Sequence, residues 1–238
     1  MILTAEKISR SFPRGSREFY ALQETDITLA GGRMTVLQGR SGSGKTTLFN
    51  ILAGLQSPSS GRVLAQMPRG AEDGSVQGEM APAATDLYSL DDKELSRFRN
   101  DHYGIVPQGQ SAVAALSVLE NIMLPGAVYS QDVNLPEKAQ ALMERMGIAD
   151  LKNAFPKELS GGEMRRMSIA RAMIRDPQVL YADEPASDLD DENWDTVFSI
   201  LREIADEGKA VLVVTHERCA RNYADEVYQM DAGALRLA

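Results

Sequence analysis

The chain has 238 residues, 43% hydrophobic and 25% charged, and 34 acidic against 25 basic side chains leave a formal net charge of −9. This is the composition of a globular domain large enough to bury a core. The acidic balance argues against nucleic acid as a partner, because that binding rests on Lys and Arg neutralising phosphates. Cys219 is the single cysteine, so an intrachain disulfide is excluded, and it reads as an ordinary residue of a reducing compartment. No apolar run reaches the ~18 residues that a bilayer span needs. The start, Met1-Ile2-Leu3-Thr4-Ala5-Glu6-Lys7, lacks the basic-then-apolar layout of a secretion signal. The chain is therefore expected to be neither exported nor membrane-spanning.

The first 35 residues alternate β-type patches with turns: strands are predicted over 2–8 and 26–29, with a turn at Ala30-Gly31-Gly32. Met34-Thr35-Val36-Leu37-Gln38 is a short β-prone run. It feeds Gly39-Arg40-Ser41-Gly42-Ser43-Gly44-Lys45-Thr46, which fits G-x-x-x-x-G-K-[ST]. The spacing has a mechanical reason. The glycines let the backbone curl and approach phosphates without a Cβ clash, and the exposed N–H groups form an anion nest at a helix N-terminus. Lys45 is placed to reach the β- and γ-phosphates of a nucleoside triphosphate, and the Thr46 hydroxyl to meet Mg²⁺. Thr47 follows as the next contact. Residues 47–53 have helical apolar spacing and stop at Gly54. Strand, loop and helix is the order the motif requires.

Residues 56–61 read as a turn, 62–65 as a strand, and about 66–84 as a surface-loop insertion rich in Gly, Ala, Pro and acids. Segment 109–158 reads mostly helical, with one helix predicted over 136–146 from Pro136 to a stop at Gly147. Two compact apolar runs, 178–182 and 210–214, flank a helical stretch around 194–205. Buried strands alternating with helices predict a mainly parallel α/β core.

A nest binds triphosphate, and hydrolysis needs a metal anchor and a water activator besides. Asp183 and Glu184 follow the apolar run at 178–182, where a parallel sheet presents its ligand edge. Two adjacent carboxylates there are costly without a cation or hydrogen bonds. Asp183 is assigned to Mg²⁺ and Glu184 to the attacking water as general base. Val213-Val214-Thr215-His216 repeats the layout. His216 reads either as a structural strand-end residue or as a group that hydrogen-bonds the γ-phosphate or orients the water. His102 has no such context and reads as surface. Leu159-Ser160-Gly161-Gly162-Glu163 carries a capping-box pattern before a helix. It reads either as a well-capped helix or as a second phosphate site at a helix N-terminus left bare by two glycines.

The ordered set Gly39–Thr46, Gln108, Leu159–Glu163, Val179–Glu184, Ser187-Asp188-Leu189-Asp190 and His216 resembles the nucleotide-binding subunit of an ATP-binding-cassette (ABC) transporter over essentially the whole chain. The Leu-Ser-Gly-Gly-Glu pentad at 159–163 is the decisive element. The resemblance implies a P-loop NTPase core with a mainly parallel sheet, an N-terminal antiparallel β-subdomain and an inserted α-helical subdomain at about 109–158, all within one domain over 1–238. It implies ATP and Mg²⁺ as cofactors. It places an adenine-stacking aromatic at Phe12, with Tyr20 as a second candidate. It gives Gln108 a contact with Mg²⁺ and the water, Glu184 the role of base and His216 that of a switch. Ser160, Gly161, Gly162 and Glu163 would meet the nucleotide of a second copy in a head-to-tail dimer closed on two ATP molecules, and 187–190 would communicate across it.

Within the family, 103–108 and 116–125 look most like the branch that energises lipoprotein-releasing, macrolide-exporting and antimicrobial-peptide-resistance systems. The short stretch after His216 implies no appended regulatory domain. Pro107 stands where Phe is common, Glu163 and Met164 where Gln-Gln is common, and Asp188 where a small or neutral residue is usual. The implied function is an ATPase subunit that powers a separate transmembrane permease, through which alone it touches the membrane. It would sit in the cytoplasm at the inner face of that membrane. The alternative is the same ATPase driving a mechanotransmission complex that moves no cargo.

Overall fold

The computed structural model describes residues 1–15, 17–67, 84–109, 111–129 and 133–238. In chain order the elements are β1 (Ile2–Arg14), β2 (Arg17–Ala30), β3 (Met34–Gly39), α1 (Lys45–Leu52), β4 (Ser60–Gln66), β5 (Thr85–Asp86), α2 (Asp92–His102), β6 (Tyr103–Val106), α3 (Val118–Tyr129), α4 (Leu135–Arg145), α5 (Gly161–Met173), β7 (Val179–Asp183), α6 (Asp191–Asp206), β8 (Ala210–Thr215), β9 (Glu226–Asp231) and β10 (Ala234–Leu237). Four strands form an antiparallel sheet in the order β2-β1-β4-β5, and six form a second sheet in the order β10-β9-β3-β8-β7-β6. In the second sheet β9, β3, β8, β7 and β6 run parallel, and only β10 is antiparallel to its neighbour.

The parallel sheet divides the core in two because successive side chains of a strand point to opposite faces. Val36, Leu180, Ala182, Val211 and Val213 join the cluster built with α3, α4, α5 and α6. Their neighbours Leu37, Val179, Tyr181, Leu212 and Val214 join the cluster built with α1 and the antiparallel sheet. All six residues of β3 and all six of β8 are buried, so these strands read as continuous apolar runs. Both faces are thereby covered, and the C-terminal ends of β3, β7 and β8 come out side by side at one edge. That edge carries the loop after Gly39, the Asp183-Glu184 pair and His216.

The first two strands run much further than the patches at 2–8 and 26–29. They pair out to Arg14↔Arg17, with register shifts between Ala5 and Ser11. Bulges at those shifts, a left-handed Lys7 (φ 49°) and Pro13 erase the alternation that periodicity needs. Helix α2 was not expected either. It buries only Leu95 and is fixed by a capping box in which Asp91 and Glu94 satisfy each other's backbone N–H groups. A box of this kind is worth about 1 kcal/mol. The β9–β10 hairpin was also missed. Segment 109–158 contains α3, α4 and two short 3₁₀ turns among its described residues, while 111–117 is irregular. Pro125 lies inside α3. The insertion expected at about 66–84 falls, from 68 to 83, outside the described residues.

His102, read as surface, is half-buried at the end of α2. Its ring lies 4.6 Å from that of Phe98, and burial pushes its pKa down. Cys219 is free and exposed.

Candidate functional site

The loop between β3 and α1 is shaped by what crowds it from behind. A Cβ on Gly39 would lie 2.4 Å from the Met230 carbonyl oxygen, and one on Gly44 (φ 110°) would lie 2.3 Å from that of Ala21. Gly233 N–H donates to the Ser43 carbonyl at 2.8 Å. Strand β2 and the β9–β10 hairpin thus press the loop into a curl that only glycine tolerates at those two positions.

The helix that follows differs from its neighbours at its start. α2, α5 and α6 are capped by Asp91, Ser160 and Asp190 and carry acids in their first turns. α1 begins at Gly44 with no side-chain cap and no acid in its first turn. Its first N–H groups therefore remain available for an external anion. The buried Ser43 hydroxyl in this loop has no hydrogen-bond partner among the described residues. The Lys45 ammonium donates to the carbonyls of Gly39 (2.7 Å) and Arg40 (3.1 Å), which hold it at the loop's mouth.

A cavity of about 650 Å³ opens over this loop. Arg40, Ser41, Gly42, Gly44, Lys45, Thr46, Thr47, Gln108, Asp183, Glu184 and His216 all line it, together with Phe19, Ala21 and Ser187. Strands far apart in sequence thus bring most of the expected nucleotide residues to one place. Phe12 does not line it. The Arg10 guanidinium lies over the Phe12 ring, 4.8 Å from its centroid, and Phe19, the cross-strand partner of Phe12, faces the cavity instead. Tyr20, the second candidate, is likewise absent from the lining. The sequence reading missed Phe19 because it started β2 nine residues too late.

Glu184 is buried at the end of β7 with a left-handed backbone (φ 47°). Its carboxylate is held at both oxygens: Thr215 Oγ1 donates to Oε2 at 3.0 Å, and His216 Nδ1 lies 3.0 Å from Oε1. Thr215 was not singled out from the sequence, although it stands inside the quoted run before His216. Beside this pair, Asp183 is pushed above the ordinary carboxylate range by burial and by the Glu184 charge, with Lys45 and Arg165 pulling the other way. Ionising such a group costs stability as pH rises through its raised pKa, and a bound cation offsets that cost.

The residues present fit Mg²⁺. Among the described residues no three His, Cys, Asp or Glu side chains converge as a cation cage. The cavity offers oxygen donors on Asp183, Thr46 and Gln108, which suits an ion that keeps waters and phosphate oxygens in its shell.

The Glu184 hydrogen bond and charge raise the His216 pKa above its ordinary 6.5. A raised folded value means stability that is present below 6.5 and lost as pH climbs through the folded pKa. The ring is 64% exposed, so solvent screens most of it and the stability effect is small. The titration itself is the sensitive readout. In an NMR titration His216 is expected above 6.5, falling back towards it in Glu184→Gln; a His216 that titrates normally in both proteins would dismiss the contact.

Ser160, Gly161, Gly162 and Glu163 do not line this cavity. The start of α5 carries the capping box that its sequence pattern offered. Ser160 N–H donates to Glu163 Oε2 at 2.7 Å, Ser160 Oγ does the same at 2.7 Å, and these bonds pull the Glu163 carboxyl below its ordinary range. Gly162 packs on Asn193 so closely that a Cβ would lie 2.0 Å from its Oδ1. The same Oδ1 accepts from Arg166, while Asn193 Nδ2 donates to Asp190. One amide therefore ties the start of α5 to the start of α6, a contact with no sequence signal.

Residues 22–187 match the family model described as ABC transporter. The lipoprotein-releasing system ATP-binding protein LolD of Treponema denticola is 33% identical over 98% of this chain and 97% of its own length. The macrolide export ATP-binding/permease protein MacB of Rhodopseudomonas palustris is 36% identical over 96% of this chain, which spans 32% of that relative's length. A bacterial ABC transporter cassette solved as a dimer superposes with a TM-score of 0.81 at 26% identity, covering 99% of this chain and 98% of the cassette. A post-hydrolysis dimer of such a cassette, bound to ADP and phosphate, gives 0.78 at 25% identity and the same coverage.

Proposed function

The chain belongs to the ABC transporter family, and from that premise we propose that it hydrolyses ATP to ADP and phosphate as the motor subunit of a membrane transport system. The observation that carries this reading is the juxtaposition of an uncapped helix N-terminus at Gly44 with the half-buried Asp183 and the buried Glu184 across one cavity. The free N–H groups and Lys45 hold the phosphates. Phe19, in place of Phe12, supplies the exposed aromatic face for the adenine. Mg²⁺ would be held by Thr46, Asp183 and Gln108 and would neutralise charge on the phosphate oxygens. Glu184 accepts the proton of the attacking water. His216 orients that carboxylate through Nδ1 and presents its other ring nitrogen to the γ-phosphate.

Ser160 to Glu163 lie apart from this cavity, which supports a second copy as the owner of the nucleotide they meet. The dimeric cassettes to which the chain is similar support the same arrangement. The partner that the motor drives is a separate permease, engaged through the helices of 109–158. Similarity to LolD and MacB favours export or lipoprotein release, and mechanotransmission without cargo is the second reading. No helix among the described residues is long and apolar enough to cross a membrane, which fits attachment through the permease at the cytoplasmic face. Phosphate release by the purified chain with MgATP is the direct test. A preparation that binds MgATP yet releases no phosphate, alone or with the membrane protein that co-purifies with it, would refute the proposal.

A further inference from the structure

Arg165 is the only charged side chain of α5 that is nearly fully buried, with 7% of its surface exposed, and it does not line the nucleotide cavity. Its guanidinium donates from one terminal nitrogen to the carbonyl of Pro107 at 3.1 Å. Pro107 joins the end of β6 to Gln108. Having no N–H, it can be held through its main chain only at that carbonyl. Six residues along the same helix, Arg171 donates to the Ser111 carbonyl at 2.8 Å and also to the Ser111 hydroxyl. The short loop that presents Gln108 is thus gripped on both flanks by arginines of one helix. That helix begins with Ser160 and Gly161.

We propose that Arg165 is the positioning residue for Gln108: its bond to the Pro107 carbonyl sets where the glutamine enters the nucleotide cavity and makes that entry move with the N-terminal end of α5. The proposal rests on the reading of Gln108 as a nucleotide-site residue.

Burying a guanidinium is expensive, and a charge is kept in such a place only when its surroundings need it. Burial pulls the Arg165 pKa down, and the charges of Asp188 and Asp183 partly restore it. No carboxylate forms an ion pair with it among the described residues, whereas Arg33, Arg62, Arg97, Arg145, Arg175 and Arg202, all more exposed, each close on at least one. A purely structural arginine would be expected to close on one carboxylate. This one bonds the Gln108 segment at Pro107, while its charge acts on Asp183 and Asp188. The carbonyl bond fixes the loop, and the shared charge links it to both acidic stretches. A Gln at this position would keep a donor and lose the charge and reach, and a Lys would keep the charge and one donor.

The test uses the whole chain and five proteins: wild type, Arg165→Met, Arg165→Lys, Gln108→Ala and the Arg165→Met/Gln108→Ala double variant. ATPase kcat and KM, affinity for a fluorescent ATP analogue and thermal midpoint are read for each. Arg165→Met is expected to lower kcat by ~10- to 100-fold, as for a misplaced catalytic group, with KM and analogue affinity within ~3-fold of wild type. Arg165→Lys should recover at least ~a third of the rate. In the Gln108→Ala background Arg165→Met should cost less than ~2-fold more, because its effect passes through the glutamine. Additive losses in the double variant, or an unchanged kcat in Arg165→Met, would overturn the role. Equal losses in the Lys and Met variants that follow a fall in thermal midpoint would reduce Arg165 to packing. Wild type that binds the analogue without turnover sinks the ATPase reading itself, and this role with it. A Gln108→Ala protein of wild-type rate removes only this role.

Discussion

Glu184→Gln is expected to slow phosphate release by ~100-fold or more while leaving ATP affinity within ~3-fold of wild type. The amide fills the same volume, and its carbonyl oxygen still accepts from Thr215 Oγ1 or His216 Nδ1. What it loses is the ability to take a proton from water. Both carboxylate oxygens are engaged in the free protein, by donors at 3.0 Å each. The base is therefore held in place before nucleotide arrives, on a backbone whose left-handed φ of 47° must be maintained by its surroundings. Glu184 N–H donates to the Val214 carbonyl at 2.8 Å, which anchors that turn to β8. The substitution has a second consequence. With hydrolysis blocked, ATP should accumulate a dimer, visible by light scattering after size exclusion, whereas ADP should leave monomers. Phosphate release at the wild-type rate would remove Glu184 from the role of base. Monomers at high concentration with ATP would count against a nucleotide shared between two copies.

Lys45→Ala is expected to weaken MgATP binding by ~100-fold or more, the equivalent of two charge-assisted hydrogen bonds of about 1.5–3 kcal/mol each. Lys45 is 9% exposed and its ammonium already lies between the Gly39 and Arg40 carbonyls, so little entropy remains to be lost when phosphate arrives. The variant also deprives Asp183 of one of the two cations that keep its pKa from rising further. Isothermal titration reads the affinity directly. Saturating MgATP should raise the melting temperature of wild type and leave that of the variant nearly unchanged. A variant that binds ATP as wild type does would mean that the N–H groups of α1 suffice alone.

Much of this site could be read along the chain, and the parts that could share a property. Gly39 to Thr46, Asp183-Glu184 and Ser160 to Glu163 are local patterns, each complete within a few residues because its work is done by adjacent backbone or adjacent carboxylates. The strands β3, β7 and β8 were legible because burial on both faces makes them continuously apolar. The hairpin β1–β2 was legible only at its core end, since beyond Lys7 the bulges break the period of two. Helix α2 hides for the opposite reason: it buries a single residue and its amphipathic stripe is too thin to register.

The linear order of residues by itself determined the phosphate loop, the acidic pair, the parallel core and the family. The tertiary structure decided how they meet. Phe12 and Phe19 stand opposite each other on one face of the hairpin, so the choice of Phe19 depends on β2 being the strand that lies against the loop, which periodicity cannot tell. The grip of Thr215 and His216 on Glu184 depends on β7 and β8 being neighbours in register, with Asp183 opposite Val214. The tie of Gly162 to Asn193 and the reach of Arg165 to Pro107 join residues 31 and 58 positions apart. Contacts of that span leave no spacing to read, because only the packing of the layers around the sheet brings such distant residues together.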